Sequence, residues 1–290
     1  MFKPIFNPSF LQNINFNKLS KNSGAIPILE LNIDKIDWFA LSYNKNAIHI
    51  LKNNIRNIDW FALSANPNAI QILQDNLDKV NWYKLSSNPN AIHILKNNPD
   101  KIQWIALNSN TNPEAINMII QNNNPNNIYW DILSKNPSSI HLLENNLDKI
   151  DWNYICKNPN AIHIIQKYPH KITELGWNFL CSNPNALNIL ENNFNKINWY
   201  YISKNPNAIH FLKKHIELIN WYSLSKNINI LDFVIYDYLK MNKNILIFKS
   251  QLKFTLITAY LNFDFIKSFS LHYNIDFQTA LNIIKEIYDI

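Results

Sequence analysis

The chain has 290 residues, 47% of them hydrophobic, a formal charge of +6 at pH 7, two cysteines and two glycines. That hydrophobic share supports a folded body, two Cys argue against a disulfide-dense scaffold, and two Gly leave almost no room for a loop that cradles phosphates. The positive charge is diluted by 21 acidic residues, so it does not by itself mark a nucleic-acid binder.

Residues 1–15 read as an N-terminal cap, and no basic start followed by an apolar run marks them as a secretory signal. From Phe16 onward an aromatic returns at a near-constant 22-residue interval: Trp38, Trp60, Trp82, Trp104, Trp130, Trp152, Trp177, Trp199 and Trp221. A period of that size is the mark of stacked supersecondary units. Register slips twice, around Ile116 and in Lys171 to Gly176, and insertions in such arrays map to loops.

Within each unit the positions are chemically constant. Leu or Ile stands three residues after the Trp, a small residue (usually Ser) four after it, and Asn six after it, as in Leu63, Ser64 and Asn66. In the copy opened by Trp104, Asn112 is expected to fill the Asn place two positions late. Asn-Pro-Asn-Ala-Ile reads as a helix start, with Asn as N-cap and Pro in the first turn. The helix it opens is expected to run about ten residues and to stop at Asn54, Asn76, Asn98, Asn146 or Asn193, where Asn would supply the left-handed C-cap that Gly usually provides. A shorter helix carries the Trp and the Leu on one face. Its cap is either Asp34, Asp78, Asp100 and Asp148 or, three residues on, Asp37, Asp59, Asn81 and Asp151.

Such a unit is too small to bury its own apolar face, and stacking supplies the core. The Trp residues are expected to be structural, their indole rings wedged between successive hairpins. The rival leucine-rich repeat requires a consensus string that is absent. The expected fold is therefore all-α: a solenoid of ten two-helix repeats over 16–227, followed by a C-terminal helical cap over 228–290. The most apolar late stretch, near Asn244 to Leu261, is cut by Lys249 and Lys253, so no membrane span is expected. Cys156 and Cys181 occupy the small-residue column and read as reduced space-fillers.

Two polar columns are candidate binding stripes. His49, His93, His141, His163 and His210 stand eleven residues after their Trp, alternating with Gln71 and Asn188; that alternation fits a row of exposed polar positions better than a metal site, which needs three or four convergent ligands. Lys35, Lys79, Lys101, Lys149 and Lys196 stand three before the next Trp and form a basic ribbon able to follow a phosphate backbone. No nucleophile elbow, His-Glu-x-x-His or Cys-x-x-Cys occurs, so neither catalysis nor a cofactor is expected.

The string from Trp82 to Asn98, Trp-x-x-Leu-Ser-x-Asn-Pro-Asn-Ala-Ile-His-x-Leu-x-x-Asn, resembles the Asn-Pro-Asn-rich tandem repeats of proteins from giant DNA viruses of protists. The resemblance covers residues 16–227. It implies a host-interaction factor in the host cytoplasm or a component of the virion. The expectation from the residues is a non-enzymatic scaffold that binds a protein partner; the alternatives are a nucleic-acid-binding solenoid that uses the Lys column, or a virion structural component.

Overall fold

A computed structural model describes residues 15–229. The caps expected over 1–15 and 228–290 therefore lie almost wholly outside the described residues. The fold is an all-α repeat solenoid, with eighteen short α-helices and no strand among the described residues. These residues fall into two compact units, 15–101 and 102–229.

Most repeats begin with a one-turn helix that starts at the Trp, such as Trp38–Ser42, Trp60–Ser64 and Trp82–Ser86; after Trp152 a 3-10 turn, Tyr154–Lys157, takes its place, and Trp177 lies within the longer helix Glu174–Cys181. The cap ambiguity resolves in favour of the residue just before the Trp. Asp37, Asp59 and Asn81 have extended backbones, and their side chains accept the N–H of the third helical residue, at 2.8–2.9 Å. The alternative Asp residues sit in or beside a 3-10 turn that joins one repeat to the next, as in Ile33–Lys35 and Pro99–Lys101.

The second helix is much shorter than the ten residues expected: Ile48–Asn53, Ile70–Gln74 and Ile92–Asn97 in the first unit. In the first unit the segment before it is a turn whose first Asn is not the helix cap, whereas in the second unit Asn136 and Asn205 cap the 3-10 turns Pro137–Ser139 and Pro206–Ala208 that lead into the helix. Asn66 accepts the N–H of Asn68 through Oδ1, and the helix begins only after Ala69. The exception is Pro113–Gln121, capped by Asn112 through the N–H of Glu114, where two inserted residues lengthen the helix to nine residues. Asn112 therefore does not replace the column Asn. Asn110 keeps that place, fully buried, and accepts the N–H of Asn112.

The second helices do not end in left-handed asparagines, with the exception of Pro113–Gln121, where Asn123 takes that conformation just after the helix. Asn54 and Asn193 have φ near −133° and −131°, and Asn123 is the one non-glycine residue with positive φ among the described residues. Asn54, Asn76, Asn98, Asn146 and Asn193 instead turn their side-chain amides back onto the carbonyl four residues earlier, at 2.8–2.9 Å. One of the orphan carbonyls at the helix end is thereby satisfied.

Successive repeats are joined by buried amides. In the first unit, Asn66 Nδ2 donates to the carbonyls of Ser42 and Asn44, both at 3.0 Å, and Asn88 donates in the same way to Ser64 and Asn66. In the second, Asn158, Asn183, Asn205 and Asn227 repeat the pattern, each taking two carbonyls of the repeat before it. Because the carbonyl of each such Asn accepts from the next, the amides form a ladder within each unit. An outer rung runs beside it, as when Asn68 Nδ2 donates to the Lys45 carbonyl. The Ser column adds a third link: Ser42 Oγ donates to the Trp38 carbonyl and accepts the N–H of Asp59 in the next repeat. Asn108 does both jobs where it replaces Ser.

The core lies between the two helices of each repeat and its neighbours. Leu41, Leu63, Leu85 and Leu107 are completely buried, as are Leu51, Leu73 and Leu95 from the second helices and Ala47, Ala69 and Ala91 from the turns. The tryptophans are not the centre of this core, contrary to the expectation from the sequence. Only Trp177 is buried, at 8% exposure, and the other eight are half-buried. Their rings lie across their own repeat: Trp152 meets Tyr168 edge-on at 5.5 Å, and Trp199 stacks on Phe211 at 5.9 Å. The indole thus closes a hairpin, while Leu and Asn join one hairpin to the next.

Two substitutions check this assignment. Asn66→Ala strands the buried Ser42 carbonyl, at about 1–3 kcal/mol, and takes a partner from the Asn68 N–H and one of two donors from the Asn44 carbonyl, which keeps the Ala47 N–H, whereas Asn68→Ala removes an exposed rung and is expected to cost about 1 kcal/mol or less. Equal shifts of the urea midpoint for the two would count against the inner ladder. Gly176→Ala would place a Cβ 2.6 Å from Ile172 Cγ2 and 3.3 Å from Cys156 Sγ, and overpacking of this kind costs about 1–3 kcal/mol; an unchanged midpoint would show that the site has room.

Candidate binding faces

With backbone and amides committed to the interior, the outward columns carry whatever chemistry the chain offers. The His column lies exposed on the second helices, and three of its rings reach the end of the second helix in the preceding repeat. His49 Nε2 is 2.7 Å from Glu30 and His163 Nε2 is 2.8 Å from Glu144, while His93 meets Gln74 at 3.3 Å. His141 also reaches Glu144, at 3.3 Å, so two column members converge on one carboxylate. His210 is exposed in the helix Ile209–Lys213. Among the described residues no group of three or more His, Cys, Asp or Glu is placed to hold a metal ion. The hydrogen bond from His163 holds the Glu144 carboxyl below the usual carboxylate range against the opposing effect of desolvation, with a lesser contribution from His141.

The first Lys column is only partly available to a ligand. Lys35 lies over the Phe16 ring at 5.5 Å and Lys79 over Trp60 at 5.0 Å, while the displaced Lys171 lies over Trp152 at 4.8 Å. Lys101 and Lys149 pair with their neighbours Asp100 and Asp148, at 3.4 and 3.2 Å. Lys196 is exposed at the end of the turn Phe194–Lys196. These cations shield half-buried rings or are compensated by adjacent carboxylates, so they do not form a continuous basic track.

Cys156 and Cys181 are buried free thiols in the Ser column. Cys156 Sγ donates to the Trp152 carbonyl, and Cys181 Sγ accepts the N–H of Asn198, so both reproduce the serine links. Burial, reinforced by Asp151, pushes the Cys156 thiol up to about 12, and burial also raises Cys181. Such groups are poor nucleophiles.

Two further columns emerge that the sequence reading passed over. The residue after the Trp faces outward and is repeatedly a large ring: Phe39, Phe61 and Tyr83 are 45–50% exposed in the first unit, and Tyr200 and Tyr222 are 39% and 48% exposed in the second. The residue five after the Trp is Lys135, Lys157, Lys204 or Lys226 in the second unit, and each lies over a ring: Lys157 over Phe179 at 3.7 Å, Lys204 over Tyr200 at 3.7 Å, Lys226 over Tyr222 at 3.9 Å and Lys135 over Tyr154 at 5.3 Å. A count of outward positions at the same 22-residue interval would have revealed both.

The histidine contacts have a pH signature. The pKa of Glu144 is lower in the folded chain, so its stabilisation is complete above the ordinary carboxylate value and fades as the pH falls through the lowered one. An NMR titration should find the Glu144 carboxyl below the usual range and returning upward in His163→Gln; a midpoint unmoved by that substitution would remove His163 as the cause.

No protein-family model matches the chain, and no curated protein and no solved structure matches it either.

Proposed function

We propose that the chain is a non-enzymatic scaffold that binds a protein partner through the outer face of its Trp-bearing helices. One observation carries the reading: the aromatic residue after each Trp stays roughly half exposed in three consecutive repeats, Phe39, Phe61 and Tyr83. Although Phe39 meets Tyr43 edge-on and Lys84 lies over Phe61, these large rings remain about half in solvent at a constant register and form an apolar row, and rings of this kind dominate the energetics of protein interfaces. Their backbones are fixed by the amide ladder, so little ordering cost remains for binding. If the chain belongs with the giant-virus repeats it resembles, the partner is a host protein or a neighbour in the virion.

The nucleic-acid alternative has less support, because the Lys column on which it relies is largely engaged with rings and carboxylates. Among the described residues no helix is long and apolar enough to cross a membrane.

Selection of a random peptide library on the full chain should enrich a defined peptide family. Its affinity should fall at least tenfold, about 1.4 kcal/mol, in a Phe39→Ser, Phe61→Ser, Tyr83→Ser variant that retains the native circular dichroism. If no family is enriched, while a single-stranded oligonucleotide binds with a steep salt dependence that Lys79→Ala and Lys101→Ala flatten, the chain is a nucleic-acid binder instead.

A further inference from the structure

We infer that the second unit carries a docking ribbon for an extended acidic segment of a partner protein, formed by Lys135, Lys157, Lys204 and Lys226 on their supporting aromatic rings. The inference rests on the scaffold reading above and concerns a different set of side chains.

These four lysines occupy one column, five residues after Trp130, Trp152, Trp199 and Trp221, with Ser182 filling the place in the intervening repeat. In the first unit the same column holds Lys21, Tyr43, Ala65 and Ser87, so the run of cations is particular to the second. None of the four forms an ion pair with a carboxylate among the described residues, in contrast to Lys101 and Lys149. In the stretches from each Trp to its lysine, residues 130–135, 152–157, 199–204 and 221–226, the one acidic residue is Asp131.

The ammonium groups are held in place by rings. Tyr154 lies under Lys135 at 5.3 Å and Lys157 at 5.0 Å, which come from neighbouring repeats, and stacks on Phe179 at 6.0 Å with 14° between the planes. The positive charges are close enough to feel one another: partial desolvation, followed by the charge of Lys135, lowers the Lys157 pKa. Like charges gathered without counter-charges, on side chains already ordered by cation–π contacts, favour an anionic ligand.

Spacing and ring geometry select the class of anion. Bases that bind single-strand proteins stack on open aromatic faces, but here the faces of Phe179, Tyr200 and Tyr222 are covered by ammonium groups at 3.7–3.9 Å. Packed helices stand about 8–10 Å apart, so the column offers about one cation per 8–10 Å. A duplex strand presents a phosphate every 3.4 Å or so, two to three for each lysine. An extended polypeptide advances about 3.1 Å per residue, so acidic side chains at every third position meet Lys135 and Lys157 in successive repeats and, across the gap at Ser182, Lys204 and Lys226.

The test uses the full chain and three labelled probes of matched length: a 15-residue peptide with Glu at every third position among Ser and Ala, the same peptide with Gln for Glu, and an oligothymidylate. The Glu peptide should bind at least tenfold more tightly than the Gln peptide, weaken as salt rises, and lose at least tenfold in affinity when Lys135, Lys157, Lys204 and Lys226 are all replaced by Gln. Because the comparison of Glu with Gln peptides is made on the unaltered chain, it stands even if the fourfold variant fails to fold. Equal binding of the two peptides, undiminished binding by the folded variant, or tighter oligothymidylate binding that the same substitutions abolish would each overturn the assignment. If the Glu peptide fails while library-selected peptides still depend on Phe39, Phe61 and Tyr83, the acidic-ribbon inference falls and the scaffold reading stands.

Discussion

The carboxamide buried between successive repeats is the contact on which the rest of the molecule depends. At Asn66 its two N–H groups reach two carbonyls of the preceding repeat, and its oxygen takes the N–H two residues ahead. No other side chain fits this place. Ser has a single donor, Asp has none and would bury a charge, and Gln is one methylene too long for the turn back to its own backbone. Removing the amide strands the buried Ser42 carbonyl and unties the Asn68 N–H and the Asn44 carbonyl from their neighbour, which explains why Asn returns at this position in every described repeat, including Asn110, where the surrounding turn is enlarged.

The helices could not stand without it. Most have four to six residues, far below the length at which an isolated helix holds in water. Their stability comes from two sources that act in the same interval: the apolar contacts of Leu63 and Leu73 with their neighbours, and the amide and serine links that fix one backbone to the next. The first is strong but indifferent to register, since one buried Leu packs much like another. The second is directional and selects a single alignment. A slip of one residue would leave every rung of the ladder without its partner.

The repeat, its all-helical character and the buried Leu column are legible in the sequence, because periodic apolar residues have one dominant explanation. The asparagines are harder to read. An Asn before Pro has the same signature whether it caps a helix, as Asn112 does, or closes a turn and reaches into the next repeat, as Asn66 does. The difference lies in a carbonyl 22 to 24 residues away, which local pattern cannot show. The same limit hid the amides of Asn54 and Asn98, which satisfy carbonyls by side chain without a left-handed backbone. The tryptophans mislead in another way: a large ring at constant register argues for burial, yet a one-turn helix places its first residue at the margin of the core. There, Lys79 and Lys171 cover what the core does not. The outward columns one and five residues after the Trp were present in the same alignment. Their mixed chemistry concealed them, since a column that holds Phe39, Tyr83 and Ile105 but also Asp131 does not look constrained.

That mixture follows from where the constraints act. The inner ladder and the Leu column specify the stack completely, so a residue at an outer position can change from Ala65 to Lys157 without disturbing a rung. The interior positions of each 22-residue repeat answer to hydrogen-bond geometry and remain uniform, while the exterior positions are free of that constraint and diverge from one unit to the other. The first unit leaves Phe39, Phe61 and Tyr83 largely as bare rings apart from the Lys84 ammonium over Phe61, and the second covers its rings with Lys157, Lys204 and Lys226. One repeated frame thus carries two surfaces of different chemistry, because neither the ladder nor the Leu column constrains what stands at the outward positions.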